Sequence, residues 1–234
     1  MAIAFLKVKL GVYSYPDDSR IMMRLFFLLV LTGFSAFSQK ILIKEQGAFR
    51  NAILDSSAGQ IRLYFDDHYS TIDTRTFEME RHDLTVPQDP EIRDNPMGYV
   101  LKRLGGQDYF LHASGGLVYR LENDTLKRID QSFIHHMEYG AAIFEHNKTF
   151  FKYGGYGFWS VRDFFTYFDF GTAEWDAYGP IDTSLIPPGI TESFYLKDGP
   201  DFYLFGGVSI GKANRKDKLV NQKLWCFDFN KNKW

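Results

Sequence analysis

One unit occurs twice near the end of this chain. A hydrophobic run enters a double glycine, an aromatic strand signal follows, and a tryptophan stands at a fixed distance beyond it. The first copy reads Tyr153-Gly154-Gly155, Tyr167-Phe168-Asp169-Phe170 and Trp175; the second reads Phe205-Gly206-Gly207, Cys226-Phe227-Asp228-Phe229 and Trp234. Trp175 lies six residues after Asp169 and Trp234 six after Asp228, so the copies share a register. The diglycines are 52 residues apart and the tryptophans 59, which predicts a seven-residue loop insertion in the second copy. The same offset upstream picks out Leu117-Val118-Tyr119-Arg120-Leu121 with Leu126, and Ser70-Thr71-Ile72-Asp73 with Met79. Aligned on Ile72, Tyr119, Phe168 and Phe227, the four units recur at intervals of 47, 49 and 59 residues. A period of that size marks an array of stacked supersecondary units, each too small to cover its own apolar face.

Each unit divides into four short strand signals bounded by turn residues. In the third unit they fall at 141–144, 149–153, 164–170 and 174–178, with a turn at His146-Asn147-Lys148. The fourth repeats them at 192–196, 201–205 and 224–229; the second offers 98–101, 108–112, 117–121 and 125–129; the first offers 49–54, 61–65, 70–73 and 77–81. An aromatic content of 18%, with 23 Phe and 14 Tyr, suits strands, where flat side chains pack well on a pleated surface. These patterns predict an all-β chain. A net charge of −2 argues against a general nucleic-acid partner, which would need an excess of Lys and Arg to neutralise phosphates.

Such units resemble the kelch repeat, closely over 138–234 and loosely over 47–134, where the first unit lacks a diglycine and Met79 and Leu126 stand at the tryptophan position. The resemblance implies a kelch-type β-propeller of the galactose-oxidase-like central-domain superfamily. Its four blade-like units of four antiparallel strands would span about 47–87, 97–134, 138–180 and 191–234. Gly154, Gly155, Asp169, Trp175, Gly206, Gly207, Asp228 and Trp234 are then scaffold, the tryptophans as wedges between blades. Propellers have typically about four to eight blades, and the last strand of the fourth unit would begin at Trp234, so an incomplete ring is expected. The alternative is a small closed ring in which Lys40-Ile41-Leu42-Ile43-Lys44 supplies the outer strand. Copper-dependent sugar oxidases share this fold, but Cys226 sits on a repeat strand, so their Tyr–Cys cofactor has no counterpart and no cofactor is expected.

At the other end, Met23 to Gln39 combines a basic start at Arg24, an apolar core over about 25–34 and small residues at Ala36 and Ser38. That is the pattern of a secretory signal peptide cut before Gln39. Residues 1–38 are therefore expected to form an extension plus signal peptide, ahead of a propeller over 39–234. The apolar core is shorter than the roughly 20 residues of a spanning helix, so the membrane enters only if this segment is retained as an anchor. The expected location is secreted, periplasmic or cell surface. Cys226 is the single cysteine, so no intrachain disulfide can form and packing must supply the stability.

Antiparallel strands alternate direction, so the loops joining second to third strands share a face with the connections between units. That face would carry Tyr156 to Asp163, the segment Val208 to Lys223 with Lys212, Arg215, Lys216 and Lys218, and two proline-rich linkers near 85–97 and 180–190. Loops on a rigid scaffold are where binding residues concentrate. Tyr156, Phe158, Trp159 and Arg162 suit an aromatic platform for a sugar ring or a partner peptide, but the favoured reading packs these aromatics against neighbouring blades, since aromatic side chains usually bury their large area. Lys212 to Lys218 reads as a solvated loop or as a contact for an anionic surface. Gly206 to Lys212 matches the start of a phosphate-binding loop, but Ala213 stands where a metal-binding hydroxyl belongs. His135, His136, Glu138 and His146 lack the fixed spacing of a zinc site, and no metal is expected. Asp73, Asp169 and Asp228 recur at one repeat position, which predicts a turn-forming role rather than a catalytic one.

The function expected is therefore a non-catalytic, exported propeller that recognises a protein or glycan through its long-loop face. Two other readings stand beside it. One is a carbohydrate-active enzyme of the sugar-isomerase or lyase kind using Arg162, Asp163 or Glu192; the other is the sensor portion of a longer surface protein.

Overall fold

The computed structural model describes residues 26–28, 40–42, 50–87, 98–132, 138–210 and 218–234, divided between two units, Met1–Gln46 and Gly47–Trp234. In the first unit β1 (Phe26–Leu28) pairs antiparallel with β2 (Lys40–Leu42). Most of the signal-peptide segment lies outside the described residues, as do His135, His136, Lys212, Arg215, Lys216 and the linker 88–97. No helix among the described residues is long and apolar enough to cross a membrane.

Alternation of side chains shapes the second unit into four consecutive antiparallel sheets, each following chain order. Sheet 1 contains β3 (Asn51–Asp55), β4 (Gln60–Tyr64), β5 (His68–Asp73) and β6 (Met79–Asp83). Sheet 2 contains β7 (Tyr99–Leu104), β8 (Gln107–His112), β9 (Val118–Glu122) and β10 (Thr125–Arg128). In sheet 3, β11 (Ala142–His146), β12 (Thr149–Tyr153), β15 (Phe165–Asp169) and β16 (Glu174–Tyr178) are interrupted by a small hairpin of β13 (Tyr156–Gly157) and β14 (Ser160–Val161). Sheet 4 has three strands among the described residues, β17 (Phe194–Asp198), β18 (Asp201–Phe205) and β21 (Trp225–Asp228). Its hairpin of β19 (Val208–Ile210) and β20 (Lys218–Val220) occupies the place of β13–β14 and accounts for the longer interval. A lone bridge from Asp228 to Lys233 stands where a fourth strand was expected. Strands β6 and β17 begin two residues later than their sequence signals, because Phe77 (φ 61) and Glu192 (φ 56) take left-handed backbone that a strand cannot continue.

Successive sheets pack face to face, and their first strands touch in order, β3 with β7, β7 with β11 and β11 with β17. Three apolar clusters fill the interfaces. Tyr64 meets Phe110 edge-on at 5.4 Å between sheets 1 and 2, Tyr109 meets Phe150 at 5.0 Å between sheets 2 and 3, and Phe144 stacks on Phe202 at 4.4 Å between sheets 3 and 4. Each such ring withdrawn from water contributes about 1.5–3 kcal/mol. A buried carboxylate, Asp108, ties the first interface, accepting from Arg62 Nη1 at 2.8 Å across the sheets and from Arg103 Nη1 at 2.8 Å and the Tyr64 hydroxyl.

The registers correct one part of the repeat alignment. Met79 stands opposite Ile72 and Trp175 opposite Phe168, as the offset implies, but Leu126 stands opposite Leu121 rather than Tyr119. The turn between β9 and β10 has two residues, Asn123 and Asp124, both at positive φ, where its counterpart between β15 and β16 has four, so the register moves by two.

The recurring aspartates do form turns. Asp73 Oδ1 accepts from the amides of Arg75 and Thr76 at 2.7 and 3.0 Å, Asp169 Oδ1 from Gly171 at 2.7 Å, and Asp228 Oδ1 from Asn230 and Lys231 at 2.9 and 3.1 Å.

Candidate ligand-binding face

The diglycine of sheet 3 is a crossing point for backbone. Gly154 (φ 73) would place a Cβ 2.1 Å from the Ile190 carbonyl oxygen, and Gly155 (φ 89) would place one 2.7 Å from the Glu138 carbonyl. The connections entering sheets 3 and 4 therefore press directly on this turn, and the Gly155 amide donates to Ile190 O at 2.9 Å. Only a residue without a Cβ fits there. This packing fixes where the chain emerges next, as the β13–β14 hairpin.

At the tip of that hairpin stand Phe158 and Trp159. Gly157 pairs with Ser160, so the loop has two residues, and both carry positive φ, 47 and 65. Positive φ at both central positions is the type I′ pattern, which ordinarily selects Asn-Gly or Asp-Gly. Bulky aromatics in that conformation are strained. Their rings gain no packing in return, since each residue is 71% exposed. The expectation that these aromatics bury against neighbouring blades is thereby overturned for Phe158 and Trp159: a two-residue turn directs them outward.

Neighbouring elements expose further apolar side chains beside charged ones. Tyr139 bridges Tyr156 through a reciprocal backbone pair at 3.0 and 2.8 Å, and is 49% exposed. Strand β14 touches β19, whose partner strand β20 exposes Leu219 and Val220. Arg162, half-buried, turns inward, its Nη1 lying 3.7 Å from Glu138 Oε1 and its guanidinium over the Phe164 ring. Asp163 and Glu192 are exposed. The proposed platform is thus split: Phe158 and Trp159 project, Tyr156 is half-covered in the hairpin stem, and Arg162 belongs to a polar cluster beneath. Of the basic loop, Lys218 is described and exposed.

That cluster centres on Lys152, which the sequence reading passed over. Lys152 stands opposite Thr166, two residues before Phe168. The same place is held by Leu63 opposite Ser70, by Phe110 opposite Tyr119, and by Leu204 opposite Trp225. Three apolar residues and one lysine at a single repeat position form a signal visible only once the registers are known. Lys152 is buried, and its Nζ sits 3.3 Å from Glu138 Oε2 and 4.4 Å from the Trp175 ring centroid while donating to His112 O at 3.1 Å and to Gly115 O. Burial pushes its pKa down and the Glu138 carboxylate opposes that shift. Glu138 also accepts from Thr166 Oγ1 at 3.1 Å, so both charges are saturated with partners. Lys152 and Glu138 thus lock the incoming connection to sheet 3. His146, at the far end of β11, stacks on Phe229 at 4.0 Å, so Glu138 and His146 do not converge.

No protein-family model matches the chain, and no curated protein matches it.

Proposed function

We propose that this protein is a non-catalytic binding module, a kelch-type propeller or part of one, whose ligand meets the face carrying the β13–β14 and β19–β20 hairpins. The observation that supports the reading is the Phe158-Trp159 turn. Two aromatic residues are held at positive φ, at a conformational cost, with their rings in water. Strain of this kind points towards function, because folding alone would favour Asn-Gly there. A protein or glycan ligand would recover the exposed apolar area, and a convex hairpin tip suits insertion into a cleft on a protein partner better than it suits cradling a sugar. Export through the segment 23–39 belongs to the same proposal and rests on its signal-peptide pattern, which would place the partner outside the cell.

Trp159→Ala supplies the test. Partners of the wild-type protein are first sought on glycan arrays and among exported proteins, and a turnover screen on sugars runs in parallel. Loss of binding by Trp159→Ala with an unchanged melting temperature supports the reading. Turnover of a sugar by the wild type that disappears on changing Asp163 or Glu192 would replace it with the enzyme reading.

A further inference from the structure

A cavity of about 130 Å³ lies between sheets 1 and 2, walled by Tyr64, Phe65, Val86, Tyr99, Phe110 and Leu126. Arg50, Asn51 and Asp66 stand at its edge, with Arg50 Nε paired to Asp66 Oδ1. The repeat explains the space. At the next interface the residue in the place of Leu126 is Trp175, which reaches into sheet 2 and donates from Nε1 to Gly116 O at 2.8 Å. At the third it is Trp234, which lies flat on Phe165 of sheet 3 at 5.6 Å and 12°. Leu126 keeps the same position, opposite Leu121, and packs in the apolar cluster with Tyr64 and Tyr69. A leucine has neither the reach nor the flat face of an indole. The interface leaves room for a ring that none of the described residues fills.

We propose that this cavity binds a small uncharged molecule built on a single aromatic ring with one hydrogen-bonding substituent. Size sets the single ring: an apolar cavity of about 150 Å³ accommodates benzene. The walls set the aromaticity, since Tyr64 already makes stacked and edge-on contacts with Tyr69 and Phe110, at 5.3 and 5.4 Å, and a further ring extends the same packing. Neutrality follows because a net charge would lose its hydration between these walls while Arg50 and Asp66 already satisfy each other. The substituent is placed at the edge, where the side-chain amide of Asn51 lines the cavity beside the ion pair. This site is distinct from the Phe158-Trp159 hairpin and does not depend on the function proposed for it.

Phenol is the probe. Titration of the full chain, followed by ligand-observed NMR and calorimetry, is expected to show saturable binding of one molecule. Leu126→Trp restores the wedge found at the other interfaces, and is expected to weaken phenol at least about tenfold, as expected when most of a small ligand's contacts are displaced. Its melting temperature without phenol is expected to rise. Trp159→Ala should bind phenol as the wild type does. Non-saturable binding, or equal affinity in a folded Leu126→Trp, overturns the proposal. Should circular dichroism show Leu126→Trp unfolded, Val86→Phe narrows the same cavity from the connection after sheet 1, and undiminished phenol binding by that variant overturns it equally.

Discussion

Phe158 and Trp159 sit where the backbone wants Asn and Gly, and the conflict can be measured. Replacing them with Phe158→Asn and Trp159→Gly is expected to stabilise the fold by about 1–2 kcal/mol, because two positive-φ positions are relieved and no packing is lost. Urea denaturation would show a higher midpoint at unchanged slope; a lower one would mean that the rings support the scaffold after all. Gly154 presents the opposite case. At φ 73, with a Cβ position 2.1 Å from the Ile190 oxygen, Gly154→Ala combines strain with a backbone clash. The expected loss is about 2–4 kcal/mol, read in the same denaturation experiment. The tip and the diglycine are thus both unusual in backbone, one serving contact with the outside and the other letting chain segments cross.

Strands and turns carry the next level. Lys152 replaces an apolar residue in one strand of four, and its charge is tolerated because Glu138, two carbonyls and the Trp175 ring surround it. Lys152→Met alone should cost about 3–5 kcal/mol, since Glu138 is left buried without its main partner. Adding Glu138→Gln should recover part of that loss, and a double-mutant cycle by thermal denaturation measures the coupling. The turn aspartates give a pH dependence. Amide donors and Arg75 hold the Asp73 carboxyl below its ordinary value of 3.8, and Lys231 with two amides does the same for Asp228. A carboxyl depressed by folding stabilises the native state above its unfolded pKa and loses that contribution as pH falls through the folded value. Asp73→Asn and Asp228→Asn variants should therefore be less stable than wild type at pH 6, with the gap closing below about pH 3, as followed by urea midpoints at the two pH values.

Across the whole molecule, the two faces of sheet 4 differ sharply. Phe202 and Phe227 are fully buried against sheet 3, while Phe194 is 77% and Leu196 61% exposed on the other side. These exposed positions match Ala142 and Phe144 of sheet 3, which sheet 4 covers. Phe202→Ala should cost about 3–5 kcal/mol, whereas Phe194→Ser should change stability by less than about 0.5 kcal/mol. The pair Phe194→Ser and Leu196→Ser should also reduce any concentration-dependent association seen by sedimentation, since contiguous exposed apolar area promotes it.

The sequence by itself determined the repeated unit, the strand character and the turn role of the aspartates. These depend on short-range chemistry: alternation along a strand, a carboxylate reaching amides two residues on, and glycine where no Cβ fits. Only the tertiary structure decided which register Leu126 takes, that Phe158 and Trp159 face water, that Lys152 is encased, and that a ring-sized space lies between sheets 1 and 2. Each of those depends on what the neighbouring sheet brings opposite a residue, and a two-residue difference in turn length, as between β9–β10 and β15–β16, is enough to change that partner.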